Sequence, residues 1–193
     1  DKVKSVNAKA SPLYEPGLEE ILSQVNIKAT SDYSSIKDSE IIFISVPTPL
    51  KDNGSISLEH ITEATRQIAT VLKGQEGYHI IAVKSTVVPG TTEEVVIPFL
   101  ESLGKKAGID FGVCMTPEFL REGKGIDDFM NPARIVIGEY DPRSGDMLCN
   151  LYRSFSAPVL RVSLKTAEMI KYASNAFLAT KVSFINEIGN ICK

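Results

Sequence analysis

The sequence is poor in several residue types on which common classes of protein depend. Its 193 residues include three cysteines, two histidines and no tryptophan. The cysteines (Cys114, Cys149 and Cys192) are odd in number and widely spaced, which is typical of reduced thiols in a cytoplasmic protein rather than of a disulfide framework. His60 and His79 do not have the spacing of metal ligands. We therefore expect a cytoplasmic protein without a structural or catalytic metal.

Charge and hydrophobic length exclude two further classes. The formal net charge is -3, and the basic residues are scattered among acids, so we expect no nucleic-acid partner. No apolar run approaches the roughly 18 residues that span a bilayer, so we expect no membrane partner. With 43% hydrophobic residues, the chain can bury one sizeable domain and the start of another.

Short apolar runs alternate with amphipathic segments along the chain. The runs predict strands over residues 41–46, 79–83, 111–115, 135–137 and 158–162, with an edge strand over 27–30. Near-continuous apolarity is typical of strands buried on both faces of a parallel sheet. The amphipathic segments predict helices over residues 2–7, 16–25, 57–73, 91–103 and 141–155. This alternation predicts a doubly wound α/β fold with right-handed crossovers.

A longer amphipathic helix is predicted from Thr166 to Cys192. At 1.5 Å per residue it is about 40 Å long, more than a helix needs to cover a sheet. Such a helix either links two domains or docks on its own domain, and the pattern alone leaves both interpretations open.

Two polar turns follow predicted strands, where ligands of open parallel sheets bind. In Val46-Pro47-Thr48-Pro49, the Thr48 hydroxyl can bond a phosphate or a ribose, although Pro-Thr-Pro is also an ordinary strand exit. In the segment from Lys84 to Thr92, hydroxyls and free amides lie at a helix N-terminus, which suits an anion or a bound water. Thr91 and Thr92 also fit an N-cap, whereas Thr86 lies too far upstream.

A third segment, Thr116 to Gly123, predicts a short helix with Thr116 as its N-cap and Pro117 in its first turn. Glu118 and Glu122 would then share one face, where like charges cost a few tenths of a kcal/mol. The segment is either a solvated acidic face beside Arg121 or a carboxylate that activates water, helped by a second one that binds a ligand.

A fourth segment lies on the long helix. Lys171 and Asn175 are one turn apart and point the same way, on a largely apolar face. The lysine either extends to water over that face or, with the amide, stabilises a developing oxyanion.

Together with their flanks, these segments resemble the UDP-glucose/GDP-mannose dehydrogenase family. The matching stretches, in family order and spacing, are residues 11–19, 46–49, 84–87, 117–123, 129–132 and 168–177. The resemblance implies a Rossmann-like doubly wound parallel sheet that lacks its first strand, followed by a long helix of a helical connecting domain. It divides the chain into an NAD-binding domain, residues 1–163, and the start of the central helical domain, residues 164–193.

The resemblance also implies a reaction, in which NAD oxidises the C6 alcohol of a nucleotide sugar to an aldehyde and then, through a cysteine thioester, to an acid. By the same resemblance, Glu118 is the general base for thioester hydrolysis, and Thr86 holds the active-site water. Lys171 and Asn175 stabilise the alkoxide and oxyanion and contact the sugar.

Binding roles follow from the same comparison of segments. The residues implied for NAD are Lys2, Thr48, Thr86 and Glu122. Those implied for the sugar nucleotide are Glu118, Phe119, Leu120, Arg121, Glu122, Lys171 and Asn175. The motifs favour UDP-glucose as substrate over GDP-mannose, and the resemblance implies a homodimer formed through the long helix.

The chain departs from the family pattern in two respects. The opening strand with its Gly-x-Gly-x-x-Gly loop, which cradles the pyrophosphate, is absent, and so is the glycine-rich segment of the nucleophilic cysteine. We interpret Cys114, Cys149 and Cys192 as structural and expect this piece alone to be inactive.

Two other classes stay open on the sequence. A glycoside hydrolase could use Glu118 and Glu122 as its acid and base, although two carboxylates on one helical turn poorly match groups that flank a scissile bond. A non-catalytic module that binds nucleotide sugars or dimerises is the second alternative.

Overall fold

Five strands form one sheet, in which they follow one another in chain order. The computed structural model describes residues 1–193. The strands are β1 (Ile41–Ile44), β2 (His79–Val83), β3 (Phe111–Met115), β4 (Ile135–Glu139) and β5 (Val159–Ser163). Each lies within two residues of an apolar run of the sequence, because these β-branched side chains fill both sides of a buried pleated sheet.

Helices alternate with the strands. They are α1 (Lys2–Asn7), α2 (Leu18–Gln24), α3 (Glu59–Leu72), α4 (Ile97–Glu101), α5 (Gly125–Met130), α6 (Pro142–Leu151) and α7 (Leu164–Ile191). A π-helical turn, Thr92–Val96, leads directly into α4, and a 3-10 turn spans Tyr33–Ile36. None of the helices combines the length and the apolar character that crossing a membrane requires.

Both faces of the sheet are covered, which confirms the doubly wound α/β prediction. Ile81 and Val83 pack on the face that carries α3, α4 and the start of α7. Ile80 and Ala82 point to the opposite face, against α6. All four side chains are fully buried, since successive residues of a strand alternate between the faces.

The direction of β4 corrects the prediction of an all-parallel sheet. β1, β2 and β3 are parallel and β5 is parallel to β4, but β4 is antiparallel to β3. An antiparallel return needs no crossover helix, and the connection from residue 116 to 134 holds only the six-residue α5. This connection therefore begins and ends at the carboxyl edge of β1–β3 and folds over that edge.

The edge strand predicted over 27–30 is wrong. The side-chain amide of Asn7 donates to the Ala29 carbonyl over 2.9 Å, and its oxygen accepts from the Ala29 N–H over 2.8 Å. A side chain thus takes the backbone groups that a neighbouring strand would have used.

α7 is docked at its beginning and exposed beyond. Its N-cap Ser163 accepts from the Thr166 N–H, and its first turns pack on β4 at Gly138. A Cβ at Gly138 would lie 2.7 Å from the Ala167 Cβ and 3.1 Å from the Leu164 Cα, so glycine permits this close approach. From Asn175 onward every residue is exposed.

Candidate functional site

Three loops meet at the carboxyl edge of β1, β2 and β3. The Thr48 hydroxyl, after β1, donates to the Thr86 carbonyl, after β2, over 3.0 Å. Ser85 ties the same two loops together, because its hydroxyl donates to the Val46 carbonyl over 2.6 Å. The structure therefore brings the predicted residues Thr48 and Thr86 together, and both are half-buried.

Lys171 reaches from α7 to the loop after β3. Its ammonium donates to the Glu118 carbonyl over 2.6 Å and to Glu118 Oε1 over 2.9 Å. The Lys171 side chain is 7% exposed and that of Glu118 is 33% exposed. Two residues that are 53 positions apart in the sequence thus form a largely buried ion pair.

The helix predicted over residues 116–123 does not form, so this prediction is wrong, and these contacts explain why. The Glu118 carbonyl accepts from Lys171, and the Arg121 N–H donates to Asp128 Oδ2 over 2.9 Å. Both backbone groups are therefore used by side chains outside the segment instead of by a helical turn. Consequently Glu118 and Glu122 share no helical face, which removes the geometric basis for a glycosidase pair.

The environment keeps Glu118 ready to accept a proton. Partial burial acts to raise its pKa, but the hydrogen bonds from the Leu120 N–H and from Lys171, with the charges of Lys171 and Lys84, outweigh burial. The pKa of Glu118 is therefore below its usual value, and the carboxylate is ionised at neutral pH.

Lys84 is a site residue to which the sequence assigned no role. It lies at the end of β2, and burial, followed by the charge of Lys171, lowers its pKa although Glu118 acts in the opposite direction. Its ammonium has one long hydrogen bond, 3.5 Å to the Thr116 carbonyl. The charges of two lysines thus act on one carboxylate. Its place after a predicted strand, in the family-matching stretch 84–87, was the signal for Lys84 in the sequence.

A cavity of ≈ 340 Å³ opens beside these groups. Of the predicted substrate residues it includes Glu118, Phe119, Leu120 and Arg121. Its other walls are Lys84, Thr116, Pro117, Asp128, Phe129, Asn131, Pro132, Ala133, Arg134, Ile135, Tyr152 and Phe155. The volume is that of a pocket for a small organic ligand.

Two arginines shape this cavity. Arg121 binds Asp128 through two guanidinium nitrogens, at 3.0 and 2.6 Å, and hydrogen bonding from Arg121 lowers the pKa of Asp128 to about 2. Arg134 lies 4.2 Å from the centre of the Phe119 ring, a cation–π contact. Arg134 and Asp128 were missed by the sequence reasoning because their partners come from other segments.

Three predicted site residues are not drawn into these contacts. Lys2, Glu122 and Asn175 are exposed, and none of them lines the cavity. The cysteines are also absent from it. Burial raises the pKa of Cys114 to about 12 and that of Cys149 above its usual value, while Cys192 is exposed at the end of α7. No three His, Cys, Asp or Glu side chains form a cluster suited to a metal ion.

A doubly wound sheet with hydroxyl-bearing loops at its carboxyl edge has the arrangement found in dinucleotide-binding domains. Comparison with known families makes the class specific. Residues 1–156 match the NAD binding domain of the UDP-glucose/GDP-mannose dehydrogenase family, and residues 165–193 match its central domain. The chain belongs to this family, which confirms the resemblance inferred from the six segments.

Two curated relatives illustrate the range of similarity. The chain is 48% identical to a GDP-mannose 6-dehydrogenase of Pseudomonas putida over all of its own length and 45% of that protein. It is 40% identical to a UDP-glucose 6-dehydrogenase of Haloferax volcanii, again over its whole length and 47% of that protein. The chain thus spans about half the length of these relatives.

A solved structure agrees closely. The ternary complex of a GDP-mannose dehydrogenase from Pseudomonas aeruginosa superposes with a TM-score of 0.96 at 45% identity, covering 98% of this chain and 45% of that one. The cofactor of the domain is NAD. The edge fits such a ligand, because Thr48 and Thr86 lie together, half-buried, beside the ends of parallel strands.

Proposed function

We propose that this chain is part of an NAD-dependent nucleotide-sugar 6-dehydrogenase, which oxidises the sugar's C6 alcohol to a carboxylate. The observation that carries the proposal is the Lys171–Glu118 ion pair, which borders the cavity through Glu118. It joins a fixed positive charge to an ionised base, the two groups that successive alcohol oxidation and thioester hydrolysis require.

The reaction has two hydride transfers and one hydrolysis. The alcohol would lose a proton and a hydride to give the aldehyde, and bound NAD would supply the hydride acceptor. A cysteine thiol would add to the aldehyde, with its proton passing to the carbonyl oxygen. The resulting hemithioacetal would lose that hydroxyl proton and a second hydride, for which a second bound NAD would be the acceptor, and would leave a thioester. Water then attacks the thioester, Glu118 takes its proton, and the thiolate leaves. The required cysteine is expected beyond Lys193, in line with the span of the relatives.

The residues divide by role. Lys171 balances the negative charge on the alkoxide and on the tetrahedral oxyanion, with Asn175 as a second donor, and Thr86 holds the attacking water. Lys2, Thr48 and Glu122 contact NAD. The segment Phe119–Arg121 lines the sugar-nucleotide site. The structure shows no contact of Lys2, Glu122 or Asn175 with the cavity, so their roles rest on the sequence and the resemblance.

The identities favour GDP-mannose as the substrate, whereas the sequence motifs favoured UDP-glucose. The 48% identity to a GDP-mannose enzyme exceeds the 40% identity to a UDP-glucose enzyme, and the ternary complex belongs to a GDP-mannose dehydrogenase. We therefore propose GDP-mannose first and UDP-glucose second.

The test is NADH formation by an extended form, in which this chain is continued to the full length of its relatives. We expect two NADH per molecule of GDP-mannose consumed, and much slower reduction with UDP-glucose. The opposite preference would overturn the substrate. Binding of a nucleotide sugar without NADH formation would replace the enzyme with a binding module, and release of free sugar without NAD would favour a hydrolase.

We also propose that residues 164–193 begin a central helical domain that joins two copies of the protein. The exposed part of α7 carries large apolar side chains, among them Phe177, Phe184 and Ile185, which are 67%, 65% and 60% exposed. Apolar area of this kind is typical of an interface. Light scattering of the extended form should give the mass of a dimer, and Phe184→Glu should shift it toward a monomer. A monomeric parent at high concentration would contradict the proposal.

A further inference from the structure

Glu168 is a buried acid to which neither the sequence nor the resemblance assigned a role. Its side chain is 0% exposed. Both carboxyl oxygens accept hydrogen bonds, Oε2 from the Gly90 N–H, and Oε1 from the Thr92 N–H at 2.8 Å and the Thr92 hydroxyl at 2.6 Å. These partners lie more than 70 residues earlier in the chain, where the loop after β2 enters the π-helical turn.

The Glu168 carboxyl group is satisfied by these hydrogen bonds and not by a salt bridge. The neighbouring lysines of α7 are committed elsewhere, Lys165 to Glu93 and Glu94, and Lys171 to Glu118. A buried carboxylate is costly unless donors surround it, and the free amides of a helix N-terminus are suitable donors. Glu168 therefore serves as a cap for the helical segment after β2, supplied by a distant helix.

One face of α7 thereby holds two loops of the site. Glu168 and Lys171 are three residues apart, so their side chains project from the same side of the helix. Glu168 holds the loop after β2, which contains Thr86, and Lys171 holds the loop after β3, which contains Glu118. Because the two contacts share one rigid helix, fixing the first restricts the position of the second.

We propose that Glu168 is a positioning residue for the proposed oxidation: by clamping α7 to the Gly90–Thr92 turn, it sets the placement of Lys171 against Glu118 and of the loop that carries Thr86. This inference rests on the proposed function. Glu168 does not line the cavity, and it acts through these neighbours. A displacement of about 1 Å at reacting groups can cost about 100-fold in rate.

Glu168→Gln in the extended form tests the proposal, because the amide keeps the side-chain volume but presents a donor to one of the N–H groups. We expect kcat per folded molecule to fall about 10- to 100-fold. KM for NAD and for the nucleotide sugar should each change less than about threefold, since no direct ligand contact is lost. Hydrogen exchange of the Gly90 and Thr92 amides should accelerate.

Glu101→Gln is the matched control. Its carboxylate also accepts a backbone N–H, from Ala107 over 3.1 Å, but away from the site, so kcat should be unchanged. If Glu168→Gln does not fold, Thr92→Val removes one donor and should lower kcat in the same direction by a smaller factor.

If the parent is active and Glu168→Gln keeps the parental kcat despite faster amide hydrogen exchange, the positioning role is overturned and Glu168 has only a role in stability. A Glu168→Gln variant of an active parent in which KM rises while kcat stays unchanged would also overturn the positioning role. An inactive parent with every nucleotide sugar would instead overturn the proposed function.

Discussion

Replacing Lys171 with alanine in the extended form is expected to lower kcat by about 100- to 1,000-fold, the usual loss when one oxyanion-stabilising group is removed. The ammonium is nearly buried and lies 2.9 Å from Glu118 Oε1, so its removal takes a fixed positive charge away from the site. The measurement is steady-state NADH formation with saturating nucleotide sugar and NAD.

The same substitution should move the acidic limb of the pH profile upward. In the parent, the Lys171 hydrogen bond and charge help to lower the pKa of Glu118 against the effect of burial. Without them burial has more weight, so the pKa rises and the base becomes protonated at a higher pH. The lowered pKa of Glu118 also contributes to the stability of the parent. This contribution is fully present above the pKa of the unfolded state and is lost as the pH falls through the pKa of the folded state.

Lys165→Ala provides the control on the same helix. Lys165 is half-exposed and pairs with Glu93 and Glu94 at 3.4 and 3.1 Å, an arrangement worth little in water. Its removal should leave kcat within about twofold. Unchanged turnover in Lys171→Ala would remove Lys171 from the catalytic group, and an unmoved acidic limb would show that another group sets the pKa of the base.

Glu118→Gln should stop the reaction at a defined stage. The amide retains the side-chain volume and an oxygen that can accept from the Leu120 N–H, which Glu118 binds over 2.6 Å, but it cannot take a proton from water. Loss of a general base costs about 100- to 10,000-fold. Because both hydride transfers precede hydrolysis, mixing enzyme with excess substrate should release a burst of two NADH per active site, followed by slow turnover.

Two measurements distinguish this outcome from simple inactivation. Mass spectrometry of the acid-quenched variant should find the sugar nucleotide attached to a cysteine, whereas the parent should carry little adduct. Glu76→Gln, an exposed acid in the turn before β2, should behave as the parent. Steady turnover at the parental rate, or inactivity without a burst, would show that Glu118 is not the base for hydrolysis.

The local character of the chain could be predicted where short-range physics controls it. Alternating apolar and amphipathic segments placed all five strands and the long helix, because doubly buried strands are continuous apolar runs and a helix with one buried face shows a helical period. Thr48, Thr86, Glu118 and Lys171 were recognised as candidates because polar residues directly after buried strands, or on an apolar helical face, call for an explanation beyond packing.

Tertiary structure decided the features that depend on distant partners. The sequence between Thr116 and Gly123 carries good helix signals, but Lys171 and Asp128 take its backbone groups, and the helix does not form. Likewise, β4 runs antiparallel to β3, so the connection between them begins and ends at the same edge of the sheet. Residues of this connection form walls of the cavity.

The sequence by itself therefore determined the α/β class, the family and the residue types available for chemistry. Only the folded chain decided how they act together: that Lys84 joins Lys171 at Glu118, and that Glu168 caps a helix that starts 76 residues earlier. The physical reason is that hydrogen bonds and charges act over a few ångströms in space, and no local pattern records which distant segment will supply the partner.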